Sequence, residues 1–476
     1  MGKKTKIASL LYCGLMVAAC ALPGLLLLRP AEDTGAENRQ LAAFPSFLTE
    51  DGSFNRDFGD QFQAYVSDHF GFRQQLVTAN SNLRYHAFGM SAEENVIVGK
   101  NGWLYYTPTV KDYIHDPTVS DLGICNIIHN LEMMQDYAAS QGAGFTVLVV
   151  PNKNTIYPAQ MPSRYVQTDN ANNLERLTEA VQSTDLHWCP AETALRDASA
   201  SQLQYHKTDT HWNNAGALTG YRALLDTMDH PGDRYTDTPY HTENIWEGDL
   251  QKMVFPESEA LDEQVVYDIG FTYQYQGRYK DSDDITINTR CSTGDGSLLM
   301  FRDSFGAAII PYLSESFQTA RYSRARPNPL FQAEGGQFNE VVLEIVERNI
   351  DWLQKEAPLH AAPEVAAPTA DGTCVATLYT EQNGNWLHLY GTAELPMDTK
   401  TAPHYYVTLQ LPDGERTYLA YNCYEADLLG DDTVRDNGFS LYLPAETVGT
   451  EPISVTLTVE TEQTVQSCDL GTVQAE

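Results

Sequence analysis

Residues 126–150 read NIIHNLEMMQDYAASQGAGFTVLVV, and the fold class follows from this stretch. Ile127, Leu131, Met134 and Ala138 recur at the spacing of one helix face, so a helix is expected from Asn126 to Ala139. Gly142 and Gly144 end it. Phe145–Val150 (FTVLVV) then lacks the alternation of a half-exposed strand and reads as one covered on both faces of a parallel sheet. The pattern continues downstream. Helices are expected over about 172–182, 191–198 and 214–228, with a short segment at 186–189 and a strand at 203–206. After an irregular stretch at 232–290 come a strand at 297–301, a helix at 305–314, a strand at 341–346 and a closing helix to about 354. Strands alternating with helices predict an α/β/α sandwich around a mainly parallel sheet.

Upstream, Val96–Val98 and Trp103–Tyr106 flank Gly99-Lys100-Asn101-Gly102, a β-hairpin closed by an Asn-Gly turn. Phe58, Phe62, Tyr65, Val66, Leu76 and Leu83 give 58–88 a helical texture, interrupted at 68–73. Residues 30–57 form a polar tether. Beyond the closing helix, 356–370 (EAPLHAAPEVAAPTA) is an Ala/Pro linker. Seven short alternating segments follow (374–380, 386–391, 404–411, 415–424, 439–443, 453–459, 463–468), predicting a C-terminal β-sandwich. Its Trp386, Tyr390, Tyr405, Tyr406, Tyr418, Tyr421 and Tyr442 either offer a sugar-stacking face or fill the core, and strand propensity favours the core. The expected domains are therefore 58–355 and 371–476, the second a candidate carbohydrate-binding module.

The chain carries 30 Lys+Arg against 64 Asp+Glu over 476 residues, a net −34. Such a surface repels phosphate backbones, and no Lys/Arg cluster marks a basic groove, so nucleic acid is excluded as a partner. Lys3, Lys4 and Lys6 precede an uncharged run at 7–28, long enough as a helix to span a bilayer. It reads as an uncleaved signal anchor within residues 1–29, with the body of the chain outside the cytoplasm. A cleaved signal peptide, or lipoprotein processing at Cys20, would export the chain equally. Six cysteines lie beyond this run (Cys125, Cys189, Cys291, Cys374, Cys423, Cys468), enough for three disulfides; buried free thiols are the alternative. No spacing indicates a metal centre and no cofactor is called for.

Two segments carry chemistry. In Leu298-Leu299-Met300-Phe301-Arg302-Asp303-Ser304-Phe305-Gly306 a buried strand breaks into a helix, placing Ser304 at a strand's C-terminal end, where α/β folds put their sites. Backbone N–H groups near 304–306 suit an oxyanion. Alone, Asp-Ser opening a helix is an ordinary N-cap, and a serine needs a base. Lys207-Thr208-Asp209-Thr210-His211-Trp212-Asn213 supplies one. Asp209 can hold one imidazole nitrogen of His211 and leave the other to accept the serine proton. Read as a metal half-site, the pair lacks a third and fourth ligand. Lys153 either aims an ammonium at developing charge or caps a turn. Tyr157 lines the same mouth or packs structurally, and Asp303 is expected to fix the elbow.

Together these segments resemble the SGNH hydrolase-like domain of the alginate O-acetylation proteins AlgJ and AlgX, and the related "DHHW" proteins. The likeness runs from Asn38-Arg39 through Asp68-His69-Phe70, Gly99–Leu104, Val150-Pro151-Asn152-Lys153, Ile156-Tyr157-Pro158 and Gly248-Asp249-Leu250 to Val346-Glu347-Arg348. Thr210 stands where the "DHHW" proteins carry their first histidine, and Arg302 where many SGNH enzymes have glycine. The Asp-x-His pair precedes the serine, a permuted order that a triad defined by geometry tolerates. The resemblance implies Ser304 as nucleophile, His211 as base and Asp209 as its orienting partner. Arg302, Lys153, Tyr157, Phe305 and Gly306 become candidates for substrate or oxyanion support. It further implies an O-acetyltransferase acting on a cell-surface or secreted polysaccharide through an acetyl-serine, with a membrane-bound O-acyltransferase as acetyl donor. An acetyl-esterase using the same residues and a non-catalytic glycan-binding scaffold are the alternatives.

Overall fold

The computed structural model describes residues 12–14, 16–17, 42–49, 52–71, 73–430 and 434–475. The expected anchor at 7–28 lies almost wholly outside the described residues, among which no helix is long and apolar enough to cross a membrane.

From residue 58 the chain forms two helices, α1 (Phe58–His69) and α2 (Arg73–Phe88), parted where Phe70 turns extended. Strands β1 (Val96–Val98) and β2 (Leu104–Tyr106) pair antiparallel, and Asn101 and Gly102 take the positive φ that the turn between them requires. Helix α3 (Asp121–Ser140), capped by the Ser120 hydroxyl on the Gly123 N–H, feeds β3 (Gly144–Val150). Helix α4 (Asn173–Val181) starts at an Asn172/Glu175 capping box, and β4 (His187–Cys189), α5 (Ala191–Ser199) and α6 (Asn214–Thr227) follow. The expected strand at 203–206 is reduced to one bridge, Tyr205 to Trp212, because the chain doubles back at once.

The stretch 232–290, expected to be irregular, holds β5 (Tyr240–Trp246), α7 (Asp249–Val254), β6 (Asp262–Tyr267), β7 (Gln274–Gln276) and β8 (Thr286–Arg290). Then come β9 (Ser297–Phe301), a 3₁₀ turn over Phe305–Ile309, α8 (Ile310–Ser316), β10 (Thr319–Ser323), β11 (Glu340–Val346) and a 3₁₀ segment over Glu347–Gln354.

The central sheet runs β4-β3-β11-β9-β10-β8-β7. Its first five strands are parallel, and β8 and β7 extend it antiparallel. Alternate residues divide between two cores. Phe145, Val147, Val149, Val341, Leu343 and Ile345 face α3 and α4. Leu148, Val150, Leu298, Met300, Val342 and Val346 face α5, α6 and α8. Both faces are covered, the α/β/α arrangement that apolar strands demand; each buried Val, Leu or Ile contributes about 1.5–3 kcal/mol.

Further β-sheets occupy the C-terminus. One joins β12 (Glu364–Val365), β13 (Gly372–Thr373), β16 (His404–Leu411), β17 (Gly414–Ala420), β19 (Ile453–Glu460) and β20 (Val465–Val473); the other joins β14 (Ala376–Asn383), β15 (Trp386–Ala393) and β18 (Gly438–Pro444). Leu389, Val407, Leu441 and Leu457 fill the core between them. Tyr390, Tyr405, Tyr418, Tyr421 and Tyr442 are buried, so most of these aromatics fill cores rather than forming a face. This unit is hydrogen-bonded to α3: the Asn422 N–H donates to Asn130 Oδ1 (2.8 Å) and its amide to Asn126 Oδ1 (3.0 Å). Cys374 and Cys468 face each other with their sulfurs 2.6 Å apart, while Cys189, Cys291 and Cys423 are buried singly.

Candidate active site

The loop 206–212 is closed at its neck by the Tyr205–Trp212 bridge and stops where Asn213 caps α6 through the Gly216 N–H. Lys153 sits beneath it, buried, with Nζ donating to the carbonyls of His206 (3.2 Å), Lys207 (3.0 Å) and Asp209 (2.6 Å). All three ammonium hydrogens are thereby used, and Lys153 shapes the loop instead of aiming at substrate. Burial lowers its pKa to about 8. Tyr157 is likewise structural: its hydroxyl accepts the Gln204 N–H at 2.8 Å, and its ring lies against Trp103.

Asp209 is 3% exposed and receives four donors. Oδ1 accepts the His211 N–H and Nδ1, each at 2.8 Å; Oδ2 accepts Trp246 Nε1 at 2.9 Å and the Asp249 N–H at 3.1 Å. Burial opposes its ionisation, but the hydrogen bonds from His211 and Trp246 and the imidazole charge outweigh that and hold it well below the usual carboxylate range. Burial lowers the His211 pKa, yet the Asp209 hydrogen bond and charge, with Asp249 behind, win and raise it above the ordinary imidazole value. On its other side His211 Nε2 meets Ser304 Oγ at 2.8 Å. Ser304, His211 and Asp209 thus form one continuous hydrogen-bonded row at the C-terminal end of the sheet.

The serine side is equally fixed. The Asp303 carboxylate accepts the Phe305 N–H (2.8 Å) and the Val346 N–H (2.9 Å), tying the turn after β9 to β11. Phe305 N–H is therefore spent within the elbow and is not an oxyanion donor, contrary to expectation. Gly306 is there for space: a Cβ would stand 2.7 Å from Arg302 Cβ and 2.8 Å from Glu344 Oε2. Arg302 is buried, donating to the Asp303 and Ser282 carbonyls, so it braces the elbow. Glu344 takes the slot between Val342 and Val346 in an otherwise apolar core, and burial pushes its carboxyl well above the ordinary range. Trp212 Nε1 donates to the Phe305 carbonyl at 3.0 Å, locking the histidine loop to the serine elbow. Its ring seats on Gly220, where a Cβ would fall 2.7 Å from it.

Three further residues complete the site: Trp246, which the sequence reading did not single out, and Asp249 and Arg348, which it named only within motifs of the resemblance and gave no role. Trp246 holds Asp209 and stacks on His206 (4.7 Å, 4° between planes). Asp249 accepts the Thr210 N–H (2.8 Å) and hydroxyl (2.6 Å) and lies 3.8 Å from His211 Nδ1. It adds the third ligand-type group to Asp209 and His211, but the oxygens of both carboxylates already accept N–H or O–H donors, so the set is built as a hydrogen-bond network. The third is Arg348. It shares with His211 and Ser304 a cavity of about 1720 Å³, beyond the ~300–1,000 Å³ usual for small ligands.

Residues 96–282 match the SGNH hydrolase-like domain of the acetyltransferase AlgX. The matched span includes Asp209 and His211 and ends before Ser304. Similar solved structures include a DHHW family protein from Eubacterium siraeum (15% identity, 54% of this chain and 94% of that one, TM-score 0.40). The O-acetyltransferase domain of Pseudomonas putida AlgJ gives 16% identity over 54% and 92% (TM-score 0.38), and Pseudomonas aeruginosa AlgX 13% over 81% and 97% (TM-score 0.35). No curated protein sequence matches the chain.

Proposed function

We propose that this protein is an extracytoplasmic O-acetyltransferase that moves acetyl groups onto hydroxyls of a cell-surface or secreted polysaccharide through an acetyl-serine. One observation carries the reading: His211 Nε2 stands 2.8 Å from Ser304 Oγ while Asp209 accepts from Nδ1. That contact fixes the tautomer, with the proton on Nδ1 and a lone pair on Nε2 facing the hydroxyl. Ser304 gives its proton to His211 as Oγ attacks the acetyl carbonyl. His211 returns the proton to the departing group. A sugar hydroxyl, deprotonated by His211, then attacks the acyl-serine and releases Ser304. The match to an acetyltransferase domain model supports acetyl as the group moved. Because acetyl-CoA is absent outside the cell, the donor is read as a membrane-bound O-acyltransferase, next to which the run at 7–28 would anchor the chain.

The test is intact-protein mass spectrometry after incubation with an activated acetyl ester. A gain of about 42 Da, one acetyl, on Ser304 and its absence in Ser304→Ala are expected. Acetylated oligosaccharide as product establishes transfer, and free acetate alone establishes an esterase. Full acetyl turnover by Ser304→Ala would end the reading.

A further inference from the structure

Five cationic side chains line the cavity that contains Ser304: Lys252, Arg302, Arg324, Arg326 and Arg348. Four are occupied. Lys252 pairs with Glu247 at 2.6 Å, Arg324 with Asp283 at 2.6 Å and Arg326 with Glu356 at 3.0 Å, while Arg302 donates to two carbonyls of the elbow. Arg348 differs. Among the described residues its guanidinium makes neither an ion pair nor a hydrogen bond; two rings hold it, Phe305 with its centroid 5.2 Å from Cζ and Tyr106 at 5.6 Å. The Phe305 ring also bears His211, 4.7 Å between centroids, so the imidazole and the guanidinium are carried by the residue next to the nucleophile. The positive charge of Arg348 also opposes protonation of His211.

One backbone donor of the elbow, meanwhile, is already taken. A tetrahedral oxyanion needs two or more aimed hydrogen bonds. The Phe305 N–H is held by Asp303. The Ser304 N–H makes no hydrogen bond among the described residues and is free to serve.

Building on the reading of Ser304 as nucleophile, we propose that Arg348 supplies the second oxyanion donor, its guanidinium N–H meeting the acetyl carbonyl oxygen as that oxygen becomes negative. In the step, the Oγ–H proton passes to His211 Nε2, the Oγ–C bond forms, and the carbonyl π electrons move onto oxygen. Arg348 and the Ser304 N–H hold that charge without giving up a proton. The carbonyl then re-forms and the leaving group departs with the His211 proton. A planar guanidinium held over two rings reaches the oxygen with little loss of side-chain freedom, which a lysine would not match.

The experiment uses the full chain and the neutral probe p-nitrophenyl acetate. Arg348→Ala is expected to lower kcat about 100-fold or more with KM changed less than about threefold. Guanidinium chloride should restore part of that loss in Arg348→Ala and nothing in Ser304→Ala. Arg348→Lys, which keeps the charge, separates chemistry from folding: a folded Arg348→Lys with a large kcat deficit supports the role. Wild-type kcat in Arg348→Lys or Arg348→Ala would overturn it. So would a defect confined to carboxylated acceptors, which would make Arg348 an anchor for acidic sugars. If Ser304→Ala itself retains turnover, the nucleophile assignment fails first; if Ser304→Ala is inert and the Arg348 variants are normal, only the oxyanion role is lost.

Discussion

Replacing Asp209 by asparagine tests the row of hydrogen bonds most directly. The carboxylate presents two oxygens, each accepting two donors: the His211 N–H and Nδ1 on one side, Trp246 Nε1 and the Asp249 N–H on the other. Asparagine has one acceptor oxygen and an NH₂ group that must face one of those pairs. If the NH₂ faces Trp246 and Asp249, two charge-assisted bonds become donor–donor clashes. At about 1.5–3 kcal/mol for each bond to a charged group, the stability loss is about 3 kcal/mol or more. If it faces His211, Nδ1 must become the acceptor and Nε2 carries the proton, the tautomer that cannot take a hydrogen from Ser304.

In either orientation the buried negative charge that steadies the imidazolium is gone. For a serine triad the same change lowers kcat by about 10⁴, which is about 5 kcal/mol of barrier. The assay is the steady-state release of p-nitrophenol from the acetyl ester by wild type and Asp209→Asn, with circular dichroism confirming that the variant is folded at the assay temperature. A folded Asp209→Asn within tenfold of wild-type kcat would refute the reasoning, since both orientations lose the charge that steadies the imidazolium and one also reverses the tautomer.

Further expectations follow from the same geometry. With His211 as the proposed base, activity needs it neutral, and Asp209 raises its pKa, so the acid limb of the pH–rate profile should lie above the ordinary value of about 6.5; the raised His211 pKa adds stability that is full below that pH and fades as pH rises through the folded value. A limb at or below 6 would contradict this. Gly306→Ala pushes a methyl against Arg302 and Glu344, both buried, and should destabilise by about 1–3 kcal/mol in chemical denaturation; an unchanged midpoint would show that the elbow has slack. Glu344, with its raised pKa, binds more protons folded than unfolded above about pH 4.3, so it makes stability fall as pH rises. Glu344→Gln removes that slope, and its stability relative to wild type should grow from pH 5 to pH 8; a constant difference would mean that Glu344 is ionised in the fold.

How much was legible depended on whether contacts were local in the chain. The FTVLVV run announced a central strand because a strand covered on both faces must be apolar along its whole length. Strand β5 gave no such signal: all seven of its residues are exposed, so no alternation marks it, yet it delivers Trp246 to Asp209. Asp249 and Arg348 reach the site from 38 and 137 residues beyond His211; the motifs Gly248-Asp249-Leu250 and Val346-Glu347-Arg348 marked their segments but not the roles of the two side chains. Lys153 was ambiguous for another reason: a lone lysine reads as a surface charge, and only the loop folded over it shows three carbonyls consuming its hydrogens. Glu344 did leave a trace, a carboxylate inside an apolar strand, which physics permits only if it is neutral or well bonded.

The reversed order of histidine and serine illustrates what a sheet does for a site. Ser304 follows β9, next to β11 in the middle of the sheet, while His211 sits on a loop before α6, which crosses the same face. Nothing in that placement depends on which segment comes first. The joint between them is the indole of Trp212, which follows His211, donating to the carbonyl of Phe305, which follows Ser304. Each chemical residue is thus rigidly coupled to its partner through its own neighbour, across 93 residues of chain. Trp212→Phe would keep the ring on Gly220 and remove only the N–H. If the coupling holds the row in line, that variant should remain folded and lose about tenfold in kcat or more through misplacement of the base. An unchanged kcat would show that helix packing alone aligns His211 with Ser304, leaving the indole bond a matter of stability.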